Sequence, residues 1–173
     1  MVSKTGIPVT LLTLAGTLPF MIFAWASLAP WQPSGLLGIN GPEAIITVWQ
    51  MGLVSLLMYG VAILSFMTGI RWGGGLAADR ETPNTLTMSL SVLPSLWAVL
   101  AGAIGIYGLI IGDPLNGGVS AYMPVALFML AGGFAVLLAF DVHAGYPMAY
   151  VRLRIIATII AILALGIPAW KVL

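Results

Sequence analysis

Few side chains in this sequence could do chemistry, and most of them stand at the ends of long apolar stretches. Arg71 and Trp72 follow one such stretch, and Tyr150, Arg152 and Arg154 open another. A guanidinium presents a fixed fork of hydrogen-bond donors that matches carboxylate and phosphate oxygens. These five residues are therefore candidates for binding an anionic lipid headgroup or the polar group of a ligand.

A purely structural interpretation of the same residues stays open. Arginine and tryptophan at a helix end commonly anchor that helix at the membrane interface. Asp141 is a candidate for charge pairing, because Arg152 and Arg154 follow it across a short link. Ion pairs between helix ends are individually weak when they are exposed. The sequence does not decide between a binding site and a set of ion pairs.

Catalysis and metal binding find little support. Cysteine is absent, which excludes thiol nucleophiles and disulfides. His143 is the sole histidine, and Asp141 alone is too small a companion set for a metal site. Three glycines at 73–75 lack the frame of a phosphate-binding loop and are interpreted as a helix terminator. We expect no catalytic residue, no metal, no cofactor and no enzymatic activity.

The composition indicates the environment of the chain. Of 173 residues, 61% are hydrophobic and only 6% are charged, whereas a water-exposed domain carries about 25% charged residues. A net charge of +1 gives no reason to expect nucleic acid as a partner. The prediction is a single domain over 1–173, an all-α integral membrane bundle of five transmembrane helices, with spans at 6–28, 44–70, 86–111, 119–140 and 153–170.

The basic residues predict an orientation. With a cytoplasmic N-terminus and a periplasmic C-terminus, the outer side holds only Lys171, and the inner side holds Lys4, Arg71, Arg80, Arg152 and Arg154. This distribution satisfies the positive-inside rule. No Arg-rich transit peptide precedes the first span, which favours a multi-pass protein of a bacterial inner membrane over an imported organelle protein.

Small residues four positions apart predict where helices pack closely. Ser65, Gly69 and Gly73 share one face of the second helix, and Gly108 and Gly112 share one face of the third. Such spacing lets two backbones approach in lipid. A groove that admits a flat ligand is the alternative.

Two further expectations concern the helices themselves. The sequence from 40 to 43 reads as a helix start, so the second helix should begin near Pro42. All charges are expected at or beyond the ends of the spans, which disfavours a proton-coupled transporter, because such carriers keep an ionisable group at depth.

Two segments resemble a known family. The sequences "YGVAILSFMTGIRWG" (59–73) and "YVRLRIIATII" (150–160) are similar to the two signature regions of the domain-of-unknown-function family 3429, which includes the animal mitochondrial transmembrane protein 69. The matching positions are Tyr59, Gly60, Ile63, Leu64, Ser65, Phe66, Gly69, Arg71, Trp72 and Gly73, then Tyr150, Leu153, Arg154 and Thr158. The resemblance implies an inner-membrane protein of a bacterium or mitochondrion and assigns no reaction.

Two functions are compatible with these observations. The leading expectation is a non-catalytic accessory or assembly subunit that packs against other integral membrane proteins or against copies of itself. The alternative is a carrier or binding protein for a lipid, a quinone or a similar amphiphile. Membrane lipids are expected partners in either case.

Overall fold

The computed structural model describes residues 7–39, 41–78, 85–112, 118–143 and 148–173, with the backbone alone described at 7–9, 70–78, 85–88 and 90–91. Every regular element within these ranges of more than a single residue is an α-helix. In chain order the helices are α1 Ile7–Ala15, α2 Leu18–Leu28, α3 Trp31–Leu36, α4 Pro42–Ala78, α5 Thr85–Ile111, α6 Tyr122–His143 and α7 Met148–Val172.

Five helical segments are long and apolar enough to cross a membrane, which confirms the predicted fold class. They are Thr10–Leu28, Pro42–Gly69, Val92–Ile111, Tyr122–His143 and Met148–Val172. The spans close into a ring, since α2 packs on α4, α4 on α5, α5 on α6, α6 on α7, and α7 again on α2. Leucine side chains fill the centre, among them Leu56, Leu64, Leu127, Leu130 and Leu165, all completely buried.

The first span is broken into two helices, α1 and α2, which meet at Gly16 and Thr17. Pro19 follows the break and lacks the N–H that a continuous helix would need there. The Thr17 hydroxyl donates a hydrogen bond to the carbonyl of Leu14 at 2.7 Å. The Tyr59 hydroxyl of α4 donates to the carbonyl of Gly16 at 2.7 Å. The carbonyls of Leu14 and Gly16 at the break are therefore satisfied within the protein, as the membrane interior requires.

Helix α4 begins at Pro42, which confirms the predicted start. It runs for 37 residues, about 55 Å at 1.5 Å per residue, and so exceeds the roughly 30 Å of hydrocarbon in a bilayer. The helix passes through the glycines at 73–75 and ends at Ala78, so their interpretation as a helix terminator is wrong. Glycine costs about 1 kcal/mol per position in a helix, and unbroken backbone hydrogen bonding outweighs that cost.

Two charged residues are buried near the facing ends of α6 and α7. Asp141 lies two residues before the end of α6, and Arg154 lies six residues after the start of α7. The placement of all charges at or beyond the span ends stays a prediction. Both side chains are buried in the protein, and mutual pairing reduces the penalty that an apolar environment would impose on either charge.

The opposite end of the bundle is closed by polar contacts to helix ends. The Lys171 ammonium donates a hydrogen bond to the carbonyl of Leu28, the last residue of α2, at 3.0 Å. The Trp25 indole donates to the side-chain oxygen of Gln32 in α3 at 2.6 Å. The first contact joins the C-terminal ends of α2 and α7, and the second joins α2 to α3, at the end of the bundle away from Asp141.

Close backbone approach between α2 and α4 depends on Gly52. A Cβ added at Gly52 would lie 2.7 Å from the backbone nitrogen of Ser27, nearer than any unstrained contact. We expect Gly52→Ala to push α2 from α4 and lower stability in detergent by about 1–3 kcal/mol, the range of an overpacked core. Thermal unfolding monitored by circular dichroism measures this loss.

The matched control is Gly132→Ala in α6, where no described atom lies within 4 Å of an added Cβ. That variant should unfold at the same temperature or slightly higher, because alanine restricts the unfolded chain. Equal melting temperatures for the two variants would contradict the close packing at Gly52.

Candidate functional site

A cavity of about 420 Å³ lies between α1, α2, α4, α6 and α7. Its volume falls within the roughly 300–1,000 Å³ typical of ligand pockets. The lining residues come from all five helices: Leu12, Thr13, Gly16, Thr17, Phe20, Ile63, Phe66, Met67, Phe134, Asp141, Tyr150, Leu153, Arg154, Ala157, Thr158 and Ala161. The cavity is thus formed by the packing of several helices and not by one segment of the chain.

Helical spacing places the lining side chains on the inner faces of their helices. Arg154, Thr158 and Ala161 follow one another at intervals of four and three residues along α7, so they share a face. Ile63 and Met67 share a face of α4 in the same way. The break between α1 and α2 forms the facing wall of the cavity.

An ion pair between helices α6 and α7 closes one end of the cavity. Arg154 Nη2 donates to Asp141 Oδ2, and the two residues are 13 apart in the chain. Each residue is only 6% exposed. A single buried charge would be severely unfavourable, whereas this pair compensates both charges.

The remaining donors of Arg154 are poorly satisfied. A guanidinium carries five N–H donors and no acceptor. Nη1 donates to the Met67 sulfur at 2.7 Å, and a thioether is a weak acceptor. Nε is buried and has no hydrogen-bond partner in the part of the chain that the structure describes. Arg154 therefore retains hydrogen-bonding capacity beside the cavity.

The cavity is charged at the ion pair, and the rest of its lining is mostly apolar apart from three threonines. Asp141, Arg154 and Tyr150 line the first region. Ala161 lies seven residues further along α7 than Arg154, a rise of about 10 Å, and the aromatic ring of Phe134 lines the same deeper region. This gradient matches a molecule with one polar end and an apolar body.

The structure places the predicted headgroup-binding residues in different surroundings. Arg154 and Tyr150 line the cavity. Arg152 is exposed and is not among the described lining residues. The side chains of Arg71 and Trp72 lie outside the described part of the structure. The two arginines at 152 and 154 thus differ in surroundings, because positions two apart on a helix point in different directions.

The predicted packing residues of α5 lie against the link to α6. A Cβ added at Gly108 would lie 2.8 Å from the backbone nitrogen of Met123, and one at Gly112 would lie 2.6 Å from the carbonyl oxygen of Gly118. The Ser120 hydroxyl donates to the carbonyl of Gly108 at 2.9 Å. Only glycine fits at such separations.

The small residues of α4 have different surroundings. Gly69 is exposed, and no described atom lies within 4 Å of a Cβ added there. The carbonyl of Ser65 accepts a hydrogen bond from the Thr68 hydroxyl at 2.7 Å, and the Thr68 hydroxyl also contacts that of Ser95 on α5. The surroundings of Gly73 lie outside the described residues.

Sequence reasoning missed Met67 and the break at residues 16–17. Pro19, which follows Gly16 and Thr17 by three and two residues, is a sequence signal that could have indicated the break. Met67 carries no such signal, because its role depends on contact with a residue 87 positions away. The Nδ1–H of His143 donates to the carbonyl of Ala139 at 2.8 Å. No cluster of acidic and histidine residues that could hold a metal occurs among the described residues.

Five apolar spans, four of which line a cavity with one charged end, are typical of a helical, multi-pass membrane protein. The chain belongs to the family described as "Protein of unknown function (DUF3429)", which matches residues 6–170. This match confirms the resemblance found in the two sequence segments. No significant match was found among curated proteins or among solved structures.

The ion pair predicts non-additive effects on stability. Arg154→Met should destabilise by about 3–5 kcal/mol, because it leaves Asp141 buried without its counter-charge. Adding Asp141→Leu to that variant should therefore cost less than Asp141→Leu alone, with a coupling of at least about 1 kcal/mol. Thermal unfolding of the four proteins in detergent measures the coupling.

Arg152→Met is the control, because Arg152 is exposed on the same helix. It should change stability by less than about 0.5 kcal/mol, as ordinary surface substitutions do. Strictly additive losses at positions 141 and 154 would show that the pair contributes nothing to the fold.

Proposed function

We propose that this protein is a non-catalytic carrier or binding protein that takes one amphiphilic molecule from the membrane into its cavity. The observation that carries the proposal is the continuity of a cavity of about 420 Å³ from apolar walls to the buried pair of Arg154 and Asp141. A lipid, a quinone or a similar molecule has this distribution of polarity.

The residues that line the cavity support binding of a ligand and not its chemical conversion. Among the described lining residues there is no serine, cysteine or histidine to act as nucleophile or base. The hydroxyls come from threonines and one tyrosine, and Asp141 is held in the ion pair. These groups orient a polar end but do not form a nucleophile with a partnered base.

Two lining residues support entry from the lipid. Leu12 of α1 and Phe66 of α4 both line the cavity, yet they are 73% and 64% exposed. In a membrane such exposed apolar side chains face lipid tails. An amphiphile could therefore pass between α1 and α4 without crossing water.

We expect Ala157→Phe to abolish binding, since the added ring would occupy the cavity that Ala157 lines. Native mass spectrometry of protein extracted in a neutral maltoside detergent measures the one-to-one adduct with copurifying amphiphile. Ile156→Phe is the matched control, because Ile156 is the adjacent residue and is half exposed.

The control should keep the adduct at the wild-type level, and Ala157→Phe should lose at least nine-tenths of it. Equal adducts on both variants would place the bound molecule on the outer surface and contradict the proposal. Melting temperatures within a few degrees of the wild type establish that Ala157→Phe is folded.

A second candidate is an accessory or assembly subunit of a larger membrane complex. It is favoured by Gly69, whose exposed surface offers close approach to another helix. Mild extraction at native expression tests this candidate. Copurifying membrane proteins would support it, and a free monomer alone would contradict it.

We also propose a bacterial inner membrane as the location, with the N-terminus in the cytoplasm. The support is the distribution of basic residues, five on one side and Lys171 alone on the other. A cysteine placed at exposed Gln32 should then react with an impermeant maleimide in intact cells, whereas one at exposed His143 should react only after permeabilisation.

A further inference from the structure

We infer that the ligand is an uncharged amphiphile whose oxygen acceptor, such as a quinone or ester carbonyl, docks on Arg154 in place of the Met67 sulfur. This inference rests on the proposed function, because it specifies the molecule that the cavity takes. The polar end of the ligand would carry the acceptor, and the Met67 side chain would be displaced by it.

The negative charge of Asp141 is the reason that we expect the acceptor to be uncharged. The carboxylate already compensates the charge of the Arg154 guanidinium, and both groups are 6% exposed. An anionic headgroup added to this pair would bring a second negative charge into a buried region, where its desolvation is unfavourable. A carbonyl oxygen supplies an acceptor without that penalty.

Arg154 lacks hydrogen-bond acceptors, not a counter-charge. Its Nη2 is held by Asp141, its Nη1 has only a thioether, and its Nε has no partner among the described residues. A thioether is a weak acceptor, so Nη1 is poorly satisfied in a buried region. A carbonyl oxygen that accepts from Nη1 is a stronger partner than sulfur.

Met67 is suited to being displaced. Its side chain is unbranched, has three rotatable bonds and adapts to irregular space at little cost. It is only partly buried and lines the cavity beside Arg154. Rotation of the thioether away from Nη1 at 2.7 Å would open the donor to the cavity without moving a helix.

The dimensions of the cavity suit a ring or ester head followed by a chain. The face of α7 from Arg154 to Ala161 extends about 10 Å, enough for a single ring and the first part of a tail. The rest of a long tail would leave between Leu12 and Phe66, which are exposed to lipid. A long-chain quinone or a neutral glyceride has this shape.

Two substitutions of Met67 test the displacement directly. Met67→Gln keeps the length of the side chain and offers an amide oxygen to Nη1, so it should compete with the ligand and weaken binding at least 10-fold. Met67→Leu keeps an apolar side chain of similar volume but lacks the sulfur that the ligand must displace from Nη1, so affinity should rise and not fall.

The probes are a benzoquinone with a decyl tail, decanoate and decane, each titrated against full-length protein in a maltoside detergent. Native mass spectrometry measures the one-to-one adduct. The quinone should bind at least 10-fold more tightly than decanoate or decane to the wild-type protein, and only Met67→Gln should reduce that preference.

Three results would overturn parts of this account separately. Tighter binding of decanoate would show that the site takes an anion. Equal binding of all three probes, unchanged by Met67→Gln but abolished by Ala157→Phe, would remove the docking on Arg154 and leave the proposed function intact. Failure of every probe to form an adduct sensitive to Ala157→Phe would defeat the proposed function as well.

Discussion

The buried pair of Arg154 and Asp141 is the interaction on which the arrangement of the last two helices and the cavity depends. Neither charge could lie in an apolar region alone, and each would be driven to the membrane surface without the other. Because they meet, α6 can extend to His143 and α7 can begin at Met148 with charged residues inside both helices. The pair thereby brings charged groups to one end of a cavity whose walls are otherwise mostly apolar.

The broken first span is the second constraint, and it follows from backbone hydrogen bonding. A chain interrupted within a membrane must satisfy its peptide groups inside the protein. Thr17 and Tyr59 do so at the carbonyls of Leu14 and Gly16. Irregular backbone at such depth occurs where it is buried or lines a cavity, and here Gly16 and Thr17 line the cavity.

Glycine has two different surroundings in this bundle. At Gly52 an added Cβ would meet the backbone of α2 at less than 3 Å, so this position sets the distance between α2 and α4. At Gly105 and Gly133 it would meet the ends of leucine side chains, which can move more easily. At Gly69 and Gly132 no described atom lies within 4 Å of an added Cβ. The spacing of glycines along the chain does not distinguish closely packed positions from open ones, because both kinds occur on apolar helices.

The sequence by itself determined the class of fold. An apolar composition with few charges indicates a membrane protein, and the long apolar stretches predict five spanning helices. Pro42 marks the start of α4 because its fixed backbone angle suits a first helical turn. The two segments at 59–73 and 150–160 were sufficient to identify the family. These features are local, since they depend on composition and on residues near one another in the chain.

Only the tertiary structure decided which polar residues meet. Arg152 and Arg154 were both candidates for headgroup binding in the sequence, yet one is exposed and the other is buried against Asp141. The contact of Arg154 with Met67 joins residues 87 positions apart, and the cavity needs five helices to enclose it. Such contacts depend on how far each helix is rotated about its axis and how closely it packs against its neighbours. The hydrophobic pattern does not determine these quantities when a membrane helix is apolar on all its faces.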